Sequence, residues 1–393
     1  MRKLTIIFHH AGGGHRSTAD ALKETLATQK DAWAVELLNL QELLAALDVA
    51  RRATGLNIEG TYNLILRKGW TRFTPQLLTV LQTAIRTARP WIVKSLRSYW
   101  SQHPTDLVLS VIPHFNRAIA ESLINDGGKP PFVTLLTDLA DYPPRFWIEP
   151  DSEFIIAGTE KARQQALSMG HAAERVFQTS GMILKPRFHQ NITIDRAAER
   201  KRHGLDPECP TAIILFGGHG SRVMLDIAKR LDQSSADVQL ILICGHNQKL
   251  ASALKNLKTR RPMLVEGFTT NIEYFMALAD FFIGKPGPGS ISEALQLHLP
   301  VIVECNSKTL PQERYNAQWV TENGYGLVVE SFRNIVPSVQ KLLGPSSFTQ
   351  FRRNASTYSN HALSEVPVIL EKCLNPKNRI EAEMLPCSPQ PAI

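Results

Sequence analysis

The sequence predicts an α/β protein of two doubly wound domains, each a parallel sheet with helices on both faces. Three observations carry this. The chain has 393 residues, about twice or more the length of an ordinary domain. A strand-like apolar run that feeds a glycine turn and then a helical pattern occurs twice, at the N-terminus and at 212–233. Further short apolar runs, without polar alternation, recur along both halves with helical patterns between them. Strands buried on both faces read that way, and they belong to parallel sheets.

The elements follow in order. KLTIIFH (3–9) reads as a buried strand and HHAGGGHRSTADAL (9–22) as its glycine turn and helix start. Residues 16–28 put Ala19, Leu22 and Leu26 at helical spacing. WAVELLNL (33–40), DLVLSVI (106–112), FVTLLTDL (132–139) and the strand-like RVFQTS (175–180) complete a first domain over 1–183. AIILF (212–216), VQLILIC (238–244), FFIG (281–284) and LPVIVE (299–304) are strands of a second domain over 184–345. Residues 346–374 read as a helical segment packing back on the first domain, and the tail 375–393 as disordered.

Composition narrows the class. The formal charge of +8 implies an anionic partner. Cys209, Cys244, Cys305, Cys373 and Cys387 form no CxxC and no Cys/His ligand spacing, which fits a reducing compartment and argues against structural zinc. No run of about 18 apolar residues marks a membrane span, and the N-terminal apolar stretch is too short for a signal peptide. Residues 51–100 carry nine Lys or Arg against one acid, Glu59, interleaved with Tyr62, Trp70, Phe73, Trp91, Tyr99 and Trp100. That pattern suits docking on an anionic bilayer. A solvated basic face over core aromatics and a nucleic-acid groove are the other readings. Pro90 marks a helix start or a kink.

A glycine turn at a helix N-terminus offers unpaired N–H groups and partial positive charge, hence an anion site. A nicotinamide cofactor fits poorly: Ser17 stands where the last glycine of GxGxxG belongs, and the second strand ends in Asn39 and Leu40 rather than an acid. The GKPGPGS turn (284–290) has its lysine before the glycines, so it is no P-loop, and no DxD-type metal loop is evident. The anion is expected on backbone amides and basic groups, without a metal or cofactor. In the second domain, helix start at Ser290 makes Ser290-x-x-Glu293 either a capping box or a source of one carboxylate for vicinal ribose hydroxyls. Gly267 and Phe268 sit in a loop beside the same sheet end. Gln312 and Glu313 read as loop residues before a helix, suited to a sugar or merely solvated.

The segments HHAGGGHRSTADAL, TDLADYPPRFW, VEGFTTNIEYFMALADFFIGKPGPGSISEALQLHLPVIV and PQERYNAQWVTENGYG resemble family 28 glycosyltransferases. They are most similar to monogalactosyldiacylglycerol synthases and bacterial diacylglycerol glucosyltransferases, with the lipid II-forming enzyme a more distant relative. The resemblance implies a GT-B fold, two Rossmann-like domains facing a cleft, with the UDP-sugar on the second domain and the acceptor on the first. It implies that the backbone around Phe268 holds uracil and that Glu293 binds the ribose. Gly287, Gly289 and Ser290 then approach the diphosphate, with Gly218 of the GGHGS turn also on the donor side. Gln312 and Glu313 bind the donor sugar, and Gly13, Gly14 and His15 face the reaction centre from the other domain. The chain departs from the family at His10, where an acid is common, at Ser110-Val111-Ile112-Pro113 with His114 shifted one place, and at Asp141-Tyr142-Pro143-Pro144.

Such relatives invert the anomeric centre, which requires a base for the acceptor proton and a stabilised UDP leaving group. His15 is the first choice for the base, or an electrostatic stabiliser if it touches phosphate. Asp138 and Asp141 are the alternatives, Asp138 being equally readable as an N-cap or turn residue. His9 and His10 read as core or supporting groups. The expected function is hexose transfer from a UDP-sugar to a lipid acceptor, diacylglycerol first. A polyprenyl acceptor or a non-catalytic nucleotide-sugar-binding protein is the alternative. The expected place is the cytoplasm, peripheral on the inner face of the cell membrane, with no nucleic-acid partner.

Overall fold

The computed structural model describes residues 1–10, 13–29, 33–46, 74–124 and 129–375. The first sheet contains β1 (Lys3–Phe8), β2 (Ala34–Asn39), β3 (Leu107–Ser110), β4 (Phe132–Leu135), β5 (Phe154–Ala157) and β6 (Val176–Gln178). All pairs are parallel, in the order β2-β1-β3-β4-β5-β6. The second sheet contains β7 (Thr211–Leu215), β8 (Gln239–Ile243), β9 (Met263–Glu266), β10 (Phe281–Gly284), β11 (Val301–Glu304) and β12 (Gly326–Val329). It is parallel throughout, in the order β12-β11-β10-β7-β8-β9. β3, β4, β5, β7, β8 and β10 are buried at every residue, and each sheet has a hydrophobic cluster on either face. Double coverage is why these runs lack polar alternation.

Strand order reverses between β1 and β3 and again between β7 and β10. Such a switch point opens a crevice beyond the carboxyl ends of the strands. Both glycine turns lie there, so topology alone puts them where a ligand fits.

The first-domain helices are α1 (Gly14–Ala27), α2 (Leu40–Ala46), α3 (Thr74–Gln102), α4 (Asn116–Ser122) and α5 (Glu160–Ser168). The second domain carries α6 (Arg196–Arg202), α7 (Val223–Asp232), α8 (Gln248–Lys255), α9 (Ile272–Ala277), α10 (Pro288–Gln296), α11 (Pro311–Glu322), α12 (Ile335–Leu343) and α13 (Pro345–Ser356). α14 (Ala362–Leu374) follows. α1 starts two residues before the expected Arg16, because Gly13 takes φ 80° and turns the chain into the helix there. Pro90 neither starts nor ends a helix: α3 runs through it. It sits on the exposed side, where a missing N–H is least costly.

The helical stretch expected at 346–374 is divided. α13 packs on the second domain, while α14 crosses back and puts Leu363, Val366, Ile369, Leu370 and Cys373 into the core of the first sheet. The two crossings of the chain are stitched together. Asn360 Nδ2 donates to Met182 O (2.8 Å), His361 N to Ser180 Oγ (2.7 Å) and Ser180 N to Glu365 Oε2 (2.8 Å). Leu139, Ala140, Met182 and Tyr315 form one cluster across the two domains. Most of the expected tail, and residues 51–73 of the basic stretch, lie outside the described residues. No described helix is long and apolar enough to cross a membrane.

Candidate active site

The first wall of the cleft forms at the ends of β1, β3 and β4. α1 presents His15 in its first turn, with Gly13 and Gly14 exposed before it. The imidazole rests against His9 (centroids 4.4 Å apart) and Trp147 (5.7 Å). Its Nδ1 lies 2.9 Å from Thr137 Oγ1. Burial holds the ring down to about 4 in pKa, against the Val111 backbone hydrogen bond, so it is neutral at pH 7. His9 and His114 are also held low by burial.

The two aspartates of TDLADY have different fates. Asp141 spends both oxygens on the chain, accepting from Trp147 N on Oδ1 (2.6 Å) and Arg145 N on Oδ2 (2.9 Å). Gln165 closes its backbone from α5. This is a carboxylate tying down a loop. Asp138 accepts one hydrogen bond among the described residues, from Trp147 Nε1 to Oδ2 (2.8 Å). Burial pushes its pKa up to about 7; the indole N–H and Lys285 pull it down, while Glu313 and Asp141 push it up. A buried carboxyl poised near neutrality has the character of a general base.

The second wall forms at the ends of β7, β10 and β11. α10 begins at Pro288, with Gly287 as N-cap and no side-chain cap, so the capping box expected at Ser290 does not exist. Proline fits N1, where no N–H partner is needed, and this moves the start two residues forward. Glu293 therefore lies beyond the first turn and caps nothing. It is half-buried. Burial raises its pKa to about 7, opposed by Lys185 and Arg187 and aided by Glu273. Gly289 is exposed, and a side chain there would meet nothing within 4 Å.

Gln312 and Glu313 are not loop residues. They lie in the first turn of α11 behind Pro311, and both are buried. Glu313 Oε1 accepts from Lys285 Nζ at 2.7 Å, and Lys285 also feels Asp138. The lysine is held further charged by Glu313 first, against burial. Phe268 is 56% exposed and stacks on His246, centroids 4.2 Å apart and planes at 16°. Gly218 is exposed at the neighbouring strand end, where its carbonyl accepts from His246 N (2.8 Å). No three or more His, Cys, Asp or Glu among the described residues are placed to hold a metal.

Residues 212–366 match the family model described as the glycosyltransferase family 28 C-terminal domain. The second domain is thus of the glycosyltransferase family 28 C-terminal type. The chain is similar to the probable monogalactosyldiacylglycerol synthase 3, chloroplastic, of Oryza sativa subsp. japonica, 28% identical over 370 residues, covering 88% of this chain and 69% of that protein. The monogalactosyldiacylglycerol synthase 1, chloroplastic, of Arabidopsis thaliana is 26% identical over 357 residues, covering 88% and 66%. The chain thus spans about two thirds of their length. Among solved structures, Acinetobacter baumannii MurG superposes with a TM-score of 0.63 at 12% identity, covering 95% of this chain and all of MurG. The S. aureus MnaA–UDP co-structure gives 0.60 at 16%, covering 94% and 95%. These likenesses are of fold, and the fold is GT-B.

The cleft brings His15, Asp138, Lys285 and Glu313 into one neighbourhood, with Glu293 and Phe268 on the second-domain side. Asp141 is turned into its loop. Reading the sequence missed Lys285 and Trp147. The lysine was visible in GKPGPGS, but its spacing matches no phosphate motif, and only the approach of α11 to the turn after β10 gives it a partner. Nothing local marks Trp147. The outer face of α3 carries Arg86, Arg89, Lys94, Arg97 and a 41% exposed Trp91, while Ile85, Ile92, Val93 and Leu96 face the core. Trp100 turns inward and donates from Nε1 to Ser122 Oγ (2.9 Å).

Proposed function

We propose that this glycosyltransferase transfers a hexose from a UDP-sugar to a lipid hydroxyl, with diacylglycerol as acceptor and inversion at the anomeric carbon. The observation that carries it is the Asp138–Lys285–Glu313 neighbourhood, in which a near-neutral carboxyl on one domain faces a lysine on the other. Asp138 takes the acceptor's O–H proton. The acceptor oxygen forms its bond to the anomeric carbon as the carbon–phosphate oxygen bond breaks, and UDP leaves with the electron pair. Lys285 and the free amides of Gly289 and Ser290 stabilise that charge. Neutral His15, with both Thr137 and the Val111 backbone on its ring, serves better as a fixed polar group than as the base.

Glu293 takes the ribose hydroxyls, the Phe268–His246 stack walls the uracil, and Gln312 and Glu313 receive the sugar. The names of the plant relatives support a galactolipid product and so a diacylglycerol acceptor, and the UDP bound to MnaA supports the donor. The basic face of α3 with Trp91 suits an anionic membrane face, as a lipid acceptor requires. The test is glycolipid synthesis by the purified chain from labelled UDP-galactose or UDP-glucose and diacylglycerol in phosphatidylglycerol vesicles. Asp138→Asn should bind UDP normally and lose turnover at least about a hundredfold. Asp138→Asn at wild-type rate overturns the base assignment. UDP binding without transfer to diacylglycerol overturns the acceptor.

A further inference from the structure

We propose that Trp147 is the positioning residue of the transfer reaction: its indole N–H fixes Asp138, and its backbone is clamped on both sides to keep that aim. The side chain is 0% exposed and has a single polar atom. That atom donates to Asp138 Oδ2 at 2.8 Å. On the amide side, Asp141 Oδ1 accepts from Trp147 N (2.6 Å). On the carbonyl side, Asn116 Nδ2 donates to Trp147 O (2.8 Å), and Ser110 Oγ donates to Asn116 Oδ1 (2.6 Å). Ser110 ends β3 and Asn116 begins α4; both are fully buried. The indole is thus referenced to the sheet through one chain of bonds and to the 141–147 loop through another. Its ring also lies tilted beside His15, centroids 5.7 Å apart, so one side chain neighbours both Asp138 and His15.

The consequence for Asp138 is geometric. With Oδ2 occupied by the indole, Oδ1 takes no hydrogen bond among the described residues and is the oxygen left to accept a proton. A carboxylate held by one directed N–H keeps its orientation as it ionises, and that bond favours the ionised form. Asp141 thereby acts at one remove, through Trp147, without touching substrate.

The inference rests on Asp138 as base, and the experiment separates the two. Lys285, Glu313 and Asp141 also face Asp138, so the measurement is a difference between variants. The ionisation of Asp138 is followed by carbon-13 NMR of aspartate-labelled protein, its signal being the one absent from Asp138→Asn. Transfer to diacylglycerol is followed against pH. Trp147→Phe should raise the Asp138 midpoint and the acidic limb of kcat/KM by about one pH unit, the size of one charge-assisted bond. It should lower kcat about tenfold and leave the donor KM within about twofold. Unmoved midpoint and limb overturn the proposal. Asp138→Asn that turns over normally overturns the base reading instead. Should Trp147→Phe fail to fold, 4-fluorotryptophan incorporation keeps the ring's shape and strengthens its N–H as a donor. Midpoint and limb should then move to lower pH, and no movement overturns the proposal.

Discussion

At Glu293 the proposed ribose contact and the stability of the fold make opposite demands. Burial raises its carboxyl to about 7, whereas an unfolded glutamate titrates near 4.5. Between these values the folded chain keeps a proton that the unfolded chain has lost, so stability falls as pH rises through that window. Glu293→Gln removes the effect. It should melt above wild type at pH 8 and level with it at pH 4, measured by calorimetry. The same substitution should weaken UDP binding about tenfold or more, since a charge-assisted bond of about 1.5–3 kcal/mol is lost. Equal melting at pH 8 with unchanged UDP affinity would make Glu293 a bystander. No helix cap is at stake, because Gly287 occupies that position.

Only part of the charge on α3 is used within the fold. Arg89 pairs with Glu121 at 3.4 Å, and Arg97 donates to the Glu121 carbonyl at 3.3 Å, so both fasten α3 to α4. Arg86 and Lys94 are exposed beside Trp91. Arg86→Gln with Lys94→Gln should therefore leave the fold intact and weaken attachment to anionic vesicles about 30-fold, at ~1 kcal/mol per basic residue. Wild-type attachment should also weaken from 0.05 to 0.5 M salt, about the range over which the Debye length drops well below 10 Å. Co-sedimentation over a salt series reads both. Attachment that ignores salt and the double substitution would remove α3 from the docking surface.

The whole molecule depends on the double crossing between its domains. A side chain on Gly181 would come within 2.6 Å of Tyr358 Oη and 2.7 Å of Asn360 Cγ. Gly181→Ala must push those crossings apart. The expected loss is about 1–3 kcal/mol of stability, as for overpacking generally, read by denaturant melting. Turnover should fall while UDP affinity holds, because the donor residues sit on the second domain and Asp138 on the first. Unchanged melting and turnover would show that the crossings tolerate spreading.

The sequence by itself determined the architecture, because strands covered on both faces leave unbroken apolar runs and glycine turns leave their own mark. It marked Gly13, Gly287, Glu293 and Glu313 for the same local reason: motif and spacing are properties of neighbouring residues. It placed the starts of α10 and α11 too late, and of its two readings of Pro90, a helix start or a kink, the structure excludes the start. Only the tertiary structure gives Asp138 and Asp141 different surroundings. The two stand three residues apart in one motif, and their chemistry is set by what each meets: two backbone amides of its own loop for Asp141, an indole and a lysine of the other domain for Asp138. The ionisation of a buried group depends on solvent exclusion and on charges remote in sequence. The partners of Trp147 all lie in the first domain and are gathered by its own fold, whereas Lys285 meets Asp138 only because the two domains face each other.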